Sequence, residues 1–191
     1  MLVSVRFYSL IKRNIITISL LFVCFFQNAL AYEKDLIINN LKNINSIKFN
    51  FTQKTNGINE KGQCVLMFPN KLKCEYEDKN LKVLTINRNR LAITQKRYEK
   101  TYYYPLSKSP FIEILNKNSL IELIKNSSLK KEKEKLNIHI NNESNQKFII
   151  IFDKENFDLA GWLIKDQFNN DIEFSIRIIE KNIKIKLGTF D

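Results

Sequence analysis

From Glu33 to Asn45 the apolar residues Leu36, Ile37, Leu41 and Ile44 recur at helical spacing, which predicts an opening helix. At Ser46 the period changes. Ile47, Phe49 and Phe51 alternate with Lys48, Asn50 and Thr52, as in a strand with one buried face. Gln63–Phe68 and Leu72–Glu77 read as two further strands around a Pro69-Asn70-Lys71 hairpin turn. Strands are also predicted at Leu81–Ile86, Arg90–Gln95 and Tyr98–Tyr104.

Alternation then stops. Ser109-Pro110 has the chemistry to cap and start a helix carrying Phe111, Ile112, Ile114 and Leu115. Ser119, with Glu122 three residues on, has capping-box spacing for a second helix, apolar on more than one side through Leu120, Ile121, Leu123 and Ile124. Two short apolar helices between strands must cover something, as plain core or as a lid over a cavity. After the solvated charge run Lys130–Lys135, alternation returns in Leu136/Ile138/Ile140, Phe148/Ile150/Phe152, Leu159–Lys165 with Trp162, and Ile172/Phe174/Ile176/Ile178. Ile183, Ile185 and Leu187 extend it to a last strand. The expected fold is one α+β domain: a single antiparallel sheet of about ten or eleven strands and three short helices. A sheet that long curls or closes, and the helices set against its concave side.

Upstream, Arg6, Lys12 and Arg13 precede an apolar run from Ile15 to Phe26 and an Ala29-Leu30-Ala31 cleavage motif. That is the shape of a secretory signal, with an uncleaved anchor as the other reading. Residues 1–31 are therefore expected to be a signal peptide and residues 32–191 the exported domain. Cys24 follows Val23 rather than a small residue, which disfavours lipid attachment there.

Composition narrows the chemistry. With 1 His, 3 Cys and only 4 Gly in 191 residues, multi-His metal centres, paired zinc motifs and glycine-rich nucleotide loops all fall away. His139 faces away from Leu136, Ile138 and Ile140 and reads as a solvent-facing strand residue, so no Ser-His-Asp or Cys-His arrangement can rest on it. Asp153 and Glu155 read as turn residues. Neither an enzyme nor a cofactor is expected. The balance of 31 Lys+Arg against 20 Asp+Glu suits weak attraction to anionic membrane surfaces better than nucleic acid in an exported protein. Cys64 and Cys74 depend on register. A three-residue loop at Phe68–Asn70 sets them opposite each other, whereas a two-residue loop separates them. Export permits a disulfide, and two buried free thiols are the alternative.

Three stretches then carry a resemblance. Leu41 with Ile44-Asn45-Ser46-Ile47-Lys48-Phe49-Asn50-Phe51-Thr52-Gln53 resembles the helix and first strand that open the periplasmic outer-membrane lipoprotein carrier (LolA-like) family. Phe68-Pro69-Asn70-Lys71-Leu72-Lys73-Cys74-Glu75-Tyr76 resembles the family's hairpin, and Ser109-Pro110-Phe111 with Ile114-Leu115 its Pro-Phe helix. The resemblance covers about Glu33 to Lys125. It implies an unclosed β-barrel whose apolar concave face, closed by helices, shelters lipoprotein acyl chains in transit across the periplasm. An inner-membrane ABC-type releasing complex would supply the cargo and an outer-membrane receptor would take it; the carrier would be a monomer and would make or break no bond. Carried over residue by residue, Phe49, Phe51, Leu72 and Tyr76 are cavity candidates, and Phe111, Ile114 and Leu115 are lid candidates. Leu72 matches the apolar hairpin residue implicated in cargo handling. Two departures stand out: Phe68 occupies the place of the family's lid-closing Arg, and Cys74 that of its Trp. Packing of Phe68, or another donor, is expected to close the lid instead. A lipid- or lipoprotein-sensing module on the same half-barrel is the second reading.

Overall fold

The computed structural model describes residues 32–106, 111–141, 147–165 and 170–190. The expected signal segment 1–31 and the Ser109-Pro110 cap lie outside them. Contacts divide the chain into Met1–Leu36 and Ile37–Asp191. Of the first, residues 32–36 are described and are helical.

Helix α1 spans residues 32–42. Eleven strands follow: β1 (Ser46–Thr55), β2 (Ile58–Met67), β3 (Lys71–Tyr76), β4 (Lys82–Asn87), β5 (Arg90–Gln95), β6 (Lys100–Pro105), β7 (Ser128–Glu132), β8 (Lys135–Asn141), β9 (Lys147–Asp153), β10 (Leu159–Lys165) and β11 (Asp171–Lys181). Helices α2 (Phe111–Leu115) and α3 (Lys117–Asn126) stand between β6 and β7, and a short 3-10 turn covers Lys96–Tyr98. All strands form one antiparallel sheet ordered β6-β5-β4-β3-β2-β1-β11-β10-β9-β8-β7. Only β1 and β11, neighbours in space, are far apart in sequence. The two edges, β6 and β7, do not pair, so the sheet stays open.

Alternation decides which face is buried. Ile47, Phe49 and Phe51 of β1, Leu72, Cys74 and Tyr76 of β3, and Leu136, Ile138 and Ile140 of β8 all point to the concave side. There they join Ile37, Ile38 and Leu41 of α1, Ile114 and Leu115 of α2, and Leu120, Ile121 and Ile124 of α3 in one core.

Three local expectations are corrected. Helix α3 starts at Lys117, two residues before the expected Ser119, because the Asn116 side chain accepts from the Asn118 and Ser119 N–H groups. Residues 183–187 are not a strand. Asn182 turns into a left-handed conformation (φ 55°), its side chain accepting from Asn45 N–H and donating to the Asn43 carbonyl. Both neighbours of β1 are already taken, so the tail leaves the sheet and Leu187 is fully exposed. His139 does lie opposite Leu136, Ile138 and Ile140, but it is half-buried, and its Nε2 is shielded without a hydrogen-bond partner among the described residues. Asp153 is the turn residue expected, accepting from Glu155 and Asn156 N–H.

The β2–β3 register sets Met67 opposite Lys71 and Cys64 opposite Cys74, so the three-residue loop is the one formed. The two cysteines are joined in a disulfide on the buried face. Closing a loop of sequence separation 10 stabilises by about 3 kcal/mol in the chain-entropy picture. The double variant Cys64→Ala/Cys74→Ala is therefore expected to melt roughly 8 °C lower. Thermal denaturation with and without reductant checks this: only the parent should respond to reductant.

Candidate functional site: the concave apolar face

Cross-strand pairing turns separate strands into rows. One row on the concave side is Tyr104, Leu91, Ile86, Leu72, Leu66 and Ile47; the next is Tyr102, Ile93, Leu84, Cys74, Cys64 and Phe49. Beyond these, Gly62 is the partner of both Phe51 and Tyr76. With no side chain at Gly62, the two rings meet over it with centroids 4.8 Å apart. Phe51 also stacks on Phe174 at 4.8 Å, Phe174 on Trp162 at 4.4 Å, and Trp162 meets Phe111 of α2 edge-on at 5.0 Å. Tyr76, Phe51, Phe174, Trp162 and Phe111 thus make one aromatic row from the floor of the sheet to the covering helix.

The row has a polar stop at its Tyr76 end. The Tyr76 hydroxyl donates to Gln53 Oε1 at 2.9 Å. Burial, reinforced by the carboxylates of Glu60 and Asp78, pushes that hydroxyl well above the ordinary phenol value, so it remains a neutral donor. Lys82 sits 3.8 Å from the Tyr76 ring centroid and is ion-paired with Glu60.

At the opposite end of the strands, polar groups tie the helices to the β2–β3 turn and to the end of α1. Asn70 N–H donates to the Leu115 carbonyl at 2.8 Å. Lys117 Nζ donates to the Ile44 carbonyl at 2.9 Å and to Asn45 Oδ1 at 3.0 Å. Phe68 is half-buried against the core, its ring centroid 5.9 Å from Lys117 Nζ. The helices are therefore pinned beside Phe68 by a cation on α3.

Of the residues singled out from sequence, Phe49, Phe51, Leu72, Tyr76, Ile114 and Leu115 are all buried on this concave side, and Phe111 is half-buried at its border. The sequence reading did not place Trp162, Phe174 or Lys117 at the site. The signal for the first two lay in the β10–β11 pairing, where Trp162 faces Phe174. The face is packed shut: Phe49, Leu72, Ile114 and Leu115 are each at most 2% exposed. Two clefts of about 900 and 790 Å³ lie on the outer face, one beside His139, Ile149 and Leu163, the other between Lys48, Val65 and the tail at Ile183. A guest on the concave face must displace the helices. Among the described residues no cluster of His, Cys, Asp and Glu is placed to hold a metal ion, and no helix is long and apolar enough to cross a membrane.

The family model described as outer membrane lipoprotein carrier protein LolA matches residues 42–191. Among curated proteins, none matches by sequence. A LolA superfamily protein from Nitrosomonas europaea superposes with a TM-score of 0.44 at 9% identity, covering 81% of this chain and 96% of that one. Lipoprotein LppX of Mycobacterium tuberculosis gives a TM-score of 0.44 at 11% identity, covering 83% and 98% of the two chains.

Proposed function

Because this chain belongs to the outer membrane lipoprotein carrier (LolA) family, we propose that it binds acylated lipoproteins and carries them through the periplasm from the inner to the outer membrane. The observation that supports this most is the aromatic row running from Tyr76 to Phe111, an apolar track that leads from the sheet to the covering helix α2. Each methylene of an acyl chain gains about 0.8 kcal/mol on leaving water, so a shuttle needs a large apolar surface. It must also let go without fuel of its own, which favours a cover that opens at modest cost over a rigid pocket.

In this reading α2 and α3 are the lid, and Phe49, Phe51, Leu72 and Tyr76 belong to the surface that acyl chains contact. Phe111, Ile114 and Leu115 form the lid's inner side. Cargo is received from an inner-membrane ABC-type releasing complex and handed to an outer-membrane receptor. The protein works as a monomeric binding protein, without catalysis, after removal of residues 1–31. The test is retention of a triacylated lipoprotein in detergent-free solution, compared with the same polypeptide lacking its acyl chains. Co-elution of the acylated form alone supports the reading; equal retention of both forms contradicts it.

Lys117 takes over lid closure in this account. A charged hydrogen bond contributes about 1.5–3 kcal/mol. Lys117→Met keeps the stem over Phe68 and removes the donors, so uptake of a fluorescent acyl probe should accelerate about tenfold. Stopped-flow mixing measures this, and an unchanged rate would remove Lys117 from lid closure.

A further inference from the structure

The sheet edge opposite β7 carries an inference that does not depend on what the concave face holds. Among the described residues strand β6 pairs with β5 alone, and all six of its residues are exposed. Three of them are consecutive tyrosines. Tyr102, Tyr103 and Tyr104 are 45%, 65% and 38% exposed, and Tyr98 in the preceding turn is 53% exposed. Tyr102 and Tyr104 lie on the concave side, opposite Ile93 and Leu91, while Tyr103 pairs with Ala92 on the other side. Aromatic rings therefore flank the free edge from both faces.

Cations surround these rings. Arg88, Arg90, Lys96, Arg97 and Lys100 are all exposed, and Glu99 is the one acid between Arg88 and Pro105. None of the five cations is ion-paired among the described residues, whereas Lys61, Lys125 and Lys165 each have a carboxylate partner. Arg97 has a ring as its neighbour, 5.9 Å from the Tyr98 centroid. Tyrosines whose rings are wet on one side and apolar on the other, set among unpaired cations, suit the headgroup layer of an anionic bilayer.

We propose that the β5–β6 edge, with Tyr98, Tyr102, Tyr103 and Tyr104 and the cations Arg88, Arg90 and Arg97, docks on an anionic phospholipid surface. A bilayer fits better than an added strand from a protein partner. The edge is only six residues long, begins with Lys100 and ends with Pro105, features that discourage strand addition. A headgroup layer can receive rings from both faces of the edge at once. Docked this way, the border of the concave face lies against the membrane surface.

The processed chain is sedimented with vesicles of phosphatidylcholine mixed with phosphatidylglycerol, and with vesicles of phosphatidylcholine alone, neither containing lipoprotein. Binding to the anionic vesicles alone, weakened by salt, is expected. At about fivefold per cation, Arg88→Gln/Arg90→Gln/Arg97→Gln should bind about 100-fold more weakly. The control Lys130→Gln/Lys133→Gln/Lys135→Gln, on the far edge, should stay close to the parent. The parent, whose one Trp is the buried Trp162, gives the baseline, and the emission that Tyr103→Trp adds to it should shift to the blue on anionic vesicles. Equal weakening by the two triple variants, equal binding to neutral vesicles, no binding to either kind of vesicle, or no shift in the emission added at residue 103 would each overturn the proposal.

Discussion

Phe111→Asp is expected to weaken acyl binding by one to two orders of magnitude while leaving the sheet folded. Phe111 is the last ring of the aromatic row and the one contributed by the covering helix, edge-on to Trp162 at 5.0 Å. An aromatic side chain of this kind contributes about 1.5–3 kcal/mol when fully buried, and a carboxylate set against an acyl chain costs more unless it is paired. The ring it meets belongs to Trp162, which stacks in turn on Phe174, and neither offers a compensating charge. With a carboxylate in place of the ring, α2 would turn this position to water and lose its grip on the guest. Phe111→Leu keeps the apolar contact and should bind within a few-fold of the parent. Titration with a fluorescent acyl probe measures both variants, with circular dichroism as the folding control. Unchanged affinity in Phe111→Asp would remove α2 from the binding surface.

Gly62→Ala is expected to damage the sheet severely for a single added methyl group. A Cβ at Gly62 would stand 2.1 Å from the Glu75 carbonyl oxygen and 2.9 Å from Phe51 Cε1. The Phe51 ring can move by part of an ångström; the Glu75 carbonyl belongs to the backbone of β3 and cannot retreat without spreading the β2–β3 pair. Overpacking of this kind costs about 3 kcal/mol or more, roughly a 10 °C drop in melting temperature. It would also separate Tyr76 from Phe51, so residual folded protein should bind acyl probe less well. Gly57→Ala is the informative contrast. Gly57 has φ +80° in the β1–β2 turn, with nothing within 4 Å of an added Cβ. Only local strain applies there, about 1 kcal/mol, and probe binding should be untouched.

These residues also show what could be read from the chain alone. The strands were legible because each needs only its own alternation: Ile47, Phe49 and Phe51 declare their inner face without reference to any partner. Cys64 and Cys74 were legible up to a choice of loop length, which the Phe68–Asn70 turn resolves. Phe111, Ile114 and Leu115 were marked by composition and by resemblance. The aromatic row was not legible, because Phe51 meets Phe174 through the β1–β11 pairing of residues more than a hundred positions apart. Local signals misled where two candidates competed. Asn116 displaces Ser119 as the cap because its side chain reaches two N–H groups. Ile183, Ile185 and Leu187 alternate like a strand but run past the start of β1, which is already flanked by β2 and β11. Lys117 was missed because nothing about a lysine in a lysine-rich chain announces that its ammonium will end 2.9 Å from the Ile44 carbonyl.

The most direct test of the carrier role adds the processed chain to inner-membrane vesicles holding a labelled lipoprotein and supplied with ATP. The account predicts that labelled lipoprotein leaves the membrane in a soluble complex with this protein, and that Phe111→Asp releases much less. Cargo that stays in the membrane, while a carrier matched to the releasing complex frees it in the same vesicles, would contradict the shuttle and leave lipid sensing as the reading to pursue.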